Sequence, residues 1–115
     1  MTLDALLALA ASYKAVTEDI KWEHHLCFSV GAKMFLLTSP DEVPVTACFK
    51  VDEEGFETLS GRKGVDQAPH FAKRKWIRLD DISVLTHKEW KYYLDKSYEL
   101  VASGLTKKLR AELGI

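Results

Sequence analysis

The chain has 115 residues, 47% of them hydrophobic and 29% charged, which is typical of one globular domain (residues 1–115) and excludes wholesale disorder. Its longest early apolar stretch, residues 6–11, is too short to cross a bilayer and follows no basic segment, so we expect neither a membrane anchor nor a signal peptide, and a cytoplasmic location. The formal net charge of -1 conceals an asymmetry, because residues 1–60 contain ten acidic and four basic residues, whereas residues 61–115 contain seven and twelve.

The N-terminal residues predict a helix followed by a polar connection. Thr2 is a suitable N-cap. The apolar stripe that follows recurs at helical spacing and consists of Leu3, Leu6, Leu7 and Ala10. We expect this helix to end near Tyr13 or Lys14. Residues 15–23 are polar and mixed, and we interpret them as a connection that carries Trp22.

Residues 24–51 predict three strands of an antiparallel meander. Apolar residues alternate from His25 to Val30, which is the period of a strand with two different faces. Gly31-Ala32 suits a two-residue turn of type II′, because glycine tolerates a positive φ. The returning strand covers residues 33–38 and the third strand covers residues 44–51.

The next segment predicts a short helix and at least one more strand. Asp52 is a good N-cap, and Gly61 is expected to end the helix that follows it. Residues 61–75 form the least regular and most basic part of the chain. A strand pattern occupies residues 75–79, and residues 82–85 are a further short strand candidate.

A long helix completes the chain. Thr86 and Glu89 have the spacing of a capping box, in which each side chain satisfies the other residue's backbone amide. The helix face expected to lie inward consists of Trp90, Leu94, Ser97, Val101 and Leu105, and Gly104 is expected to interrupt the helix. The element order predicts an α+β fold, a two-layer sandwich in which helices cover an antiparallel sheet.

Several short motifs resemble the MmcQ/YjbR family. In chain order they are Trp22-x-x-x-Leu26-x-Phe28-x-Val30-Gly31-x-Lys33-Met34-Phe35, Phe49-Lys50, Ala68-Pro69, Lys75-Trp76-Ile77 and Ser97-Tyr98-x-Leu100-Val101. They extend over nearly the whole chain and need no large insertion. The resemblance implies an α-β(3)-α-β(2)-α two-layer fold and DNA binding through a double-wing arrangement. It implies no catalytic residues.

The basic segment 61–78 is the first candidate site. It carries six cations that could neutralise phosphates, namely Arg62, Lys63, Lys73, Arg74, Lys75 and Arg78. Trp76 lies among them, and an aromatic ring between cations can stack on a base. Strand alternation separates Lys75 from Trp76 and Arg78, so scattered, solvated charges are the alternative interpretation. If the cations converge, we expect a non-catalytic module that binds DNA or another polyanion.

Two other binding functions remain open at this point. Lys33 and Lys50 lie in predicted strands, and if they share an exposed surface with Trp76 they would form a site for a small anionic ligand. Alternatively, the exposed sheet face or the last helix would bind a protein, as in a regulatory adaptor domain. The oligomeric state is open as well.

No residue pattern indicates catalysis, a metal site or a cofactor. Cys27 and Cys48 lie in apolar runs without C-x-x-C spacing, which is typical of buried, reduced thiols. The adjacent His24 and His25 would point to opposite faces of a strand and are poor joint metal ligands. No nucleophile has a base partner in a recognisable pattern, so we expect no enzymatic activity.

Overall fold

The computed structural model describes all 115 residues, Met1–Ile115. Its elements in chain order are α1 (Leu3–Ala11), β1 (Val16–Lys21), β2 (His25–Val30), β3 (Lys33–Ser39), β4 (Thr46–Lys50), α2 (Glu53–Ser60), β5 (Val65–Gln67), β6 (Trp76–Leu79), a 3-10 turn (Ile82–Val84), α3 (His87–Ser103) and α4 (Lys107–Leu113). The predicted α+β class is confirmed, because the helices pack on an antiparallel sheet.

All six strands belong to one sheet in the order β1-β2-β3-β4-β6-β5, and every pairing is antiparallel. The three predicted meander strands correspond to β2, β3 and β4. β6 confirms the strand predicted at residues 75–79 and pairs with β4. Strands β1 and β5 therefore form the two edges of the sheet.

Strand β1 corrects the prediction of a connection over residues 15–23. It pairs with β2 from Val16↔Val30 to Lys21↔His25. Most of its side chains are exposed, so the strand lacks the apolar alternation by which a half-buried strand is identified. Backbone pairing with β2 defines this edge strand, and the meander has four strands rather than three.

Two short segments of the second half also differ from the prediction. Strand β5 has three residues and lies within the segment expected to be irregular. It was not predicted because so short a strand leaves no periodic pattern. Residues 82–85 were expected to form a strand, but a 3-10 turn occupies Ile82–Val84. Asp81 caps this turn by accepting the Ser83 N–H at 2.9 Å, and the Ile82 N–H donates to the Val45 carbonyl at 2.9 Å.

The turn between β2 and β3 is of type I′ rather than the predicted type II′. Gly31 and Ala32 both have positive φ angles, 57° and 65°. Gly31 also lacks room for a side chain, because a Cβ atom there would lie 2.7 Å from Cδ1 of Leu105. The hairpin tip therefore packs against the connection between α3 and α4.

The predicted helix starts are confirmed by side chains that accept backbone N–H groups. These N-caps are Thr2 at α1, Asp52 at α2 and Thr86 at α3, the last within a complete capping box with Glu89. Gly61 and Gly104 are the C-cap residues of α2 and α3, as expected, whereas α1 ends at Ala11, earlier than expected. None of the helices combines the length and hydropathy needed to cross a membrane.

The main hydrophobic core lies between the helices and one face of the sheet. Its largest fully buried side chains include Trp90, Phe28, Phe35, Phe49 and Leu6. Trp90 of α3 donates from Nε1 to the Ile82 carbonyl at 2.8 Å, which satisfies the one polar atom of the side chain. The expected inward face of α3 is confirmed, with Leu94, Ser97 and Val101 also buried and Leu105 half-buried.

The opposite face of the sheet, which we call the open face, has no helix packed across it. Its only buried cluster consists of Cys48, Ala68 and Trp76. Phe71, from the connection between β5 and β6, stacks on Trp76 with the ring centroids 4.3 Å apart. This connection covers one part of the open face and leaves the remainder accessible.

Candidate functional site

The structure separates the six predicted phosphate-binding residues into three places. Arg62 and Lys63 precede β5 and lie near the Leu79 end of β6, because Val65 pairs with Leu79. Lys73, Arg74 and Lys75 lie at the opposite end of β6, beside Trp76. Arg78 lies between these ends on the open face, in a cross-strand row with Cys48. The six cations do not form one continuous surface.

Arg62 forms an ion pair within the domain. Its guanidinium donates from Nη2 to Glu89 Oε2 at 2.8 Å, at the start of α3. This hydrogen bond is the main reason why the pKa of Glu89 is lowered to about 2, and the hydrogen bond that Glu89 accepts from the Thr86 N–H adds to the shift. The charge of Arg62 is therefore largely compensated.

Replacing this carboxylate should change how stability depends on pH. Because the folded pKa of Glu89 lies below its ordinary value of 4.5, the carboxylate stabilises the fold above about pH 4.5 and loses this contribution as the pH falls towards 2. Glu89→Gln keeps a side chain suited to the capping box and should cost at most about 1 kcal/mol at neutral pH, since the pair is partly exposed. Urea unfolding of both proteins between pH 7 and pH 2 measures the difference, which should shrink with acidification. A difference that stays constant over this range would contradict the assignment.

The other two arginines also have acidic partners. Arg74 lies 3.4 Å from Glu53 and 3.3 Å from Glu57, both on α2. Arg78 is hydrogen-bonded to Asp80. All three predicted arginines are thus engaged by carboxylates of this chain, which lowers their capacity to bind an external anion.

Four lysines at one end of the sheet have no such partner. This lysine patch consists of Lys33, Lys50, Lys73 and Lys75, none of which forms an ion pair. Lys33 begins β3 and Lys50 ends β4, while Lys73 and Lys75 precede β6. Adjacent antiparallel strands run in opposite directions, so the start of β3, the end of β4 and the start of β6 lie at the same end of the sheet. The topology therefore gathers residues that are far apart in sequence.

The lysine patch surrounds two adjoining cavities. The first, which we call the edge pocket, has a volume of about 340 Å³ and is lined by Lys33, Lys50, Trp76, Met34, Leu100, Val101, Gly104 and Leu105. The second has a volume of about 500 Å³ and is lined by the cations Lys50, Lys73, Arg74 and Lys75 and by the carboxylates of Asp52 and Glu53. Lys50 and Leu100 belong to both cavities. Lys73 and Lys75 therefore lie next to a set of residues that the sequence suggested as a separate small-ligand site, namely Lys33, Lys50 and Trp76.

A buried serine of α3 positions the backbone beneath this patch. The Ser97 hydroxyl donates to the Phe35 carbonyl at 2.6 Å and accepts the Lys50 N–H at 3.0 Å. It thereby joins α3 to the start of β3 and the end of β4. This contact gives a physical reason for Ser97 in the last of the motifs noted in the sequence.

The open face carries a larger cavity that the sequence analysis missed. This open-face cleft has a volume of about 610 Å³ and is lined by Trp22, His25, Met34, Leu37, Ser39, Glu42, Thr46, Ala47, Cys48, Pro69, His70, Phe71 and Arg78. His25 Nδ1 and Ser39 Oγ are 2.7 Å apart across two strands. The available sequence signal was a tryptophan, Trp22, within the polar segment 15–23. In the structure Trp22 is 64% exposed, although tryptophan is usually well buried.

The two cysteines are free and buried, as the sequence predicted. Cys27 pairs with Leu37, and Leu37 pairs with Cys48, so β3 separates the two thiols and their strands are about 10 Å apart. A disulfide cannot form at that separation. Burial raises the pKa of the Cys48 thiol to about 11, so the thiol stays protonated and unreactive at neutral pH although it borders the open-face cleft.

Comparison with known proteins agrees with the resemblance seen in the motifs. The YjbR family profile matches residues 11–100. A Deinococcus radiodurans protein of known crystal structure, with a domain described as DUF419, is 27% identical, with a TM-score of 0.87 over 99% of this chain and 88% of that chain. A Pseudomonas syringae protein shares the fold at 21% identity, with a TM-score of 0.72 over 88% of this chain and 99% of that chain. No curated protein matches the sequence. Because the profile covers most of the length of this chain, the chain belongs to the YjbR family.

Proposed function

We propose that this domain binds the phosphate backbone of nucleic acid through the lysine patch. The observation that carries the proposal is the presence of four unpaired lysines around two adjoining cavities, in a domain whose net charge is close to zero. Phosphate binding needs cations that are free to release counterions and converge on one surface. The proposal places the contact at the Trp76 end of β6 rather than along the whole basic segment.

The lysines are better suited to this contact than the arginines of the same segment. A nucleic acid that approached Arg62, Arg74 or Arg78 would compete with a carboxylate already in place. The lysines of the patch form no direct ion pair, although Asp52 and Glu53 line the same cavity, and an ammonium on a flexible stem binds phosphate as a point charge without a fixed geometry. Binding through lysines alone should therefore show little sequence preference.

The expected salt dependence follows from the number of lysines. If all four contact phosphates, the logarithm of the association constant should fall with the logarithm of salt concentration with a slope of about -3 to -4 on duplex DNA. Fluorescence anisotropy of a labelled oligonucleotide between about 50 and about 200 mM salt measures this slope. The first probes are one mixed-sequence duplex and its single strand.

Two charge-matched double variants test the location. Lys73→Gln with Lys75→Gln removes two exposed members of the lysine patch and should reduce the slope by about 2 while weakening binding to all sequences alike. Lys63→Gln with Lys88→Gln removes two exposed lysines outside the patch and should leave affinity nearly unchanged. Failure of the wild-type protein to bind at low salt, or equal losses in both double variants, would refute the proposal.

A small anionic ligand is a second candidate, favoured by one observation. Lys33, Lys50 and Trp76 line the same edge pocket, whose volume of about 340 Å³ is within the range of small-ligand sites. A ligand that prefers the native state raises the melting temperature. A thermal shift with inorganic phosphate that disappears in Lys50→Gln would support this alternative, and the absence of any shift would count against it.

A further inference from the structure

We propose that the open-face cleft receives a single unpaired nucleobase whose phosphate lies on the lysine patch at Lys33 and Lys50. This inference rests on the proposed function and extends it, because the lysine patch alone does not distinguish a single strand from a duplex. Four features of the open-face cleft carry the argument: its walls, its charge balance, its connection to the edge pocket and its backbone conformation.

The cleft has the size and lining of a site for a flat, largely apolar group. Its volume of about 610 Å³ is typical of small-ligand cavities. The floor is formed by the side chains of Met34, Leu37 and Cys48 on adjacent strands. Aromatic side chains stand at the sides, with Trp22 at one side and Phe71, backed by Trp76, at the other. An aromatic side chain beside an accessible cavity offers a stacking surface that any base can use.

The charges of the cleft are balanced, unlike those of the lysine patch. Arg78 is paired with Asp80, and the carboxylate of Glu42 also lines the cavity. An anion would therefore gain little here. A neutral ring with donors and acceptors along its edge fits better, because Arg78 uses one N–H group for Asp80 and keeps others, while Glu42 offers acceptor oxygens. Nucleobases have this combination of properties.

The cleft adjoins the edge pocket at the end of the sheet where Lys50 lies on the open face. Met34 lines both the open-face cleft and the edge pocket. Cys48 in the cleft floor and Lys50 in the lysine patch are two residues apart on β4, so they share a face and are separated by about 6–7 Å. A ligand with a neutral aromatic part and an adjacent phosphate therefore matches the two cavities in order.

Three of the six non-glycine residues with left-handed backbone lie beside the cleft, and the other three, Ala15, Ala32 and Arg74, lie in turns elsewhere. Trp22 and Glu23 have φ angles of 51° and 66°, and His70 has a φ angle of 68°. Left-handed backbone is unfavourable for residues other than glycine and concentrates at ligand sites. Trp22 is the clearest instance, because a large aromatic residue is both in this conformation and mostly exposed.

The inference leads to a preference for single strands. A base that enters the cleft cannot remain paired in a duplex, so duplex DNA can use only the lysine patch. Binding should therefore be ordered as single strand first, with duplex and an abasic single strand of the same length both weaker. The abasic strand is the most informative probe, because it keeps the phosphates and lacks the bases.

The experiment combines three oligonucleotide probes with two aromatic variants. Trp22→Ala should weaken binding of a single-stranded oligothymidine roughly tenfold and leave binding of the abasic strand and the salt slope unchanged. Tyr92→Ala, which removes an exposed aromatic ring on α3 that lines neither the open-face cleft nor the edge pocket, is the matched control and should change neither. Trp22 is exposed, so its removal should leave the fold intact, which the melting temperature checks.

The possible outcomes separate this inference from the proposed function. Equal affinity of the wild-type protein for the oligothymidine and the abasic strand would refute the nucleobase site and leave phosphate binding by the lysine patch intact. No binding of any probe would refute the proposed function itself.

Free thymidine monophosphate provides a second arm of the experiment. A thermal shift that depends on Trp22 would identify a free nucleotide as the ligand, whereas a Trp22-dependent shift with the oligonucleotide alone would identify a strand.

Discussion

Replacing Ser97 by alanine should lower the free energy of unfolding by about 2–4 kcal/mol. The Ser97 hydroxyl is the hydrogen-bond partner of the Phe35 carbonyl and of the Lys50 N–H in the interior. Alanine would leave both backbone groups without a partner at a site where Ser97 is fully buried, and each unsatisfied group costs roughly 1–3 kcal/mol. Urea unfolding monitored by tryptophan fluorescence measures the loss.

Ser103→Ala is the matched control for this prediction. Ser103 lies on the same helix, but it is exposed and its hydroxyl bonds only to the Leu100 carbonyl of its own helix. Its replacement should change stability by no more than about 0.5 kcal/mol. If Ser97→Ala were as mild as this control, the hydrogen bonds from α3 to β3 and β4 would not stabilise the fold as described.

Trp90→Ala should have a still larger effect, about 4–6 kcal/mol. The side chain is fully buried and packs on Phe49 with ring centroids 5.3 Å apart, so truncation leaves a large cavity between α3 and the sheet. The Ile82 carbonyl would also lose its N–H donor. A domain of this size is stable by roughly 6–17 kcal/mol, so the variant would lose a large fraction of its stability.

Trp90→Phe keeps the test interpretable if the alanine variant fails to fold. Phenylalanine retains a ring but removes the Nε1–H donor, and we expect a loss of about half that of Trp90→Ala. Tyr92→Ala, two residues further along α3 and 55% exposed, should cost less than about 1 kcal/mol. Midpoints and slopes from urea titrations compare the three variants, and a Trp90→Phe loss as small as that of Tyr92→Ala would argue against a structural role for the indole N–H.

Ion pairs that form on folding neutralise several of the basic residues in the second half of the sequence. Glu53 and Glu57 from the acidic half face Arg74 from the basic half across the surface between α2 and the start of β6. Arg62 and Arg78 find their partners, Glu89 and Asp80, within the basic half. The number of basic residues in the sequence is therefore larger than the number available to a polyanion. The residues that remain available are the lysines of the lysine patch.

The helices could be predicted from the sequence because their signals are local. N-cap side chains at Thr2, Asp52 and Thr86 act within one turn of the helix that they begin. The inward face of α3 follows from the helical period alone. Apolar alternation likewise identified β2 and β4, and an apolar run after the Gly31-Ala32 turn identified β3.

Local signals were missing where an element is short or lies at an edge. Strands β1 and β5 are held by backbone pairing to a neighbouring strand. The sequence does not reveal them, because β1 lacks apolar alternation and β5 is too short to show a period. The candidate site has the same difficulty. Lys33 lines one cavity and Lys73 the adjoining one, with Lys50 in both, because β3, β4 and β6 alternate in direction and bring these residues to one end of the sheet.

The sequence by itself determined the α+β class, the helix boundaries set by capping residues, the central strands and the burial of both cysteines. Each of these follows from interactions within a few residues or from a simple period. Tertiary structure alone decided which cations are neutralised, which ones surround a cavity, and that one sheet face stays open beside Trp22. These properties depend on distances between residues remote in sequence, and such distances are set only when the strands pair and α3 packs across them.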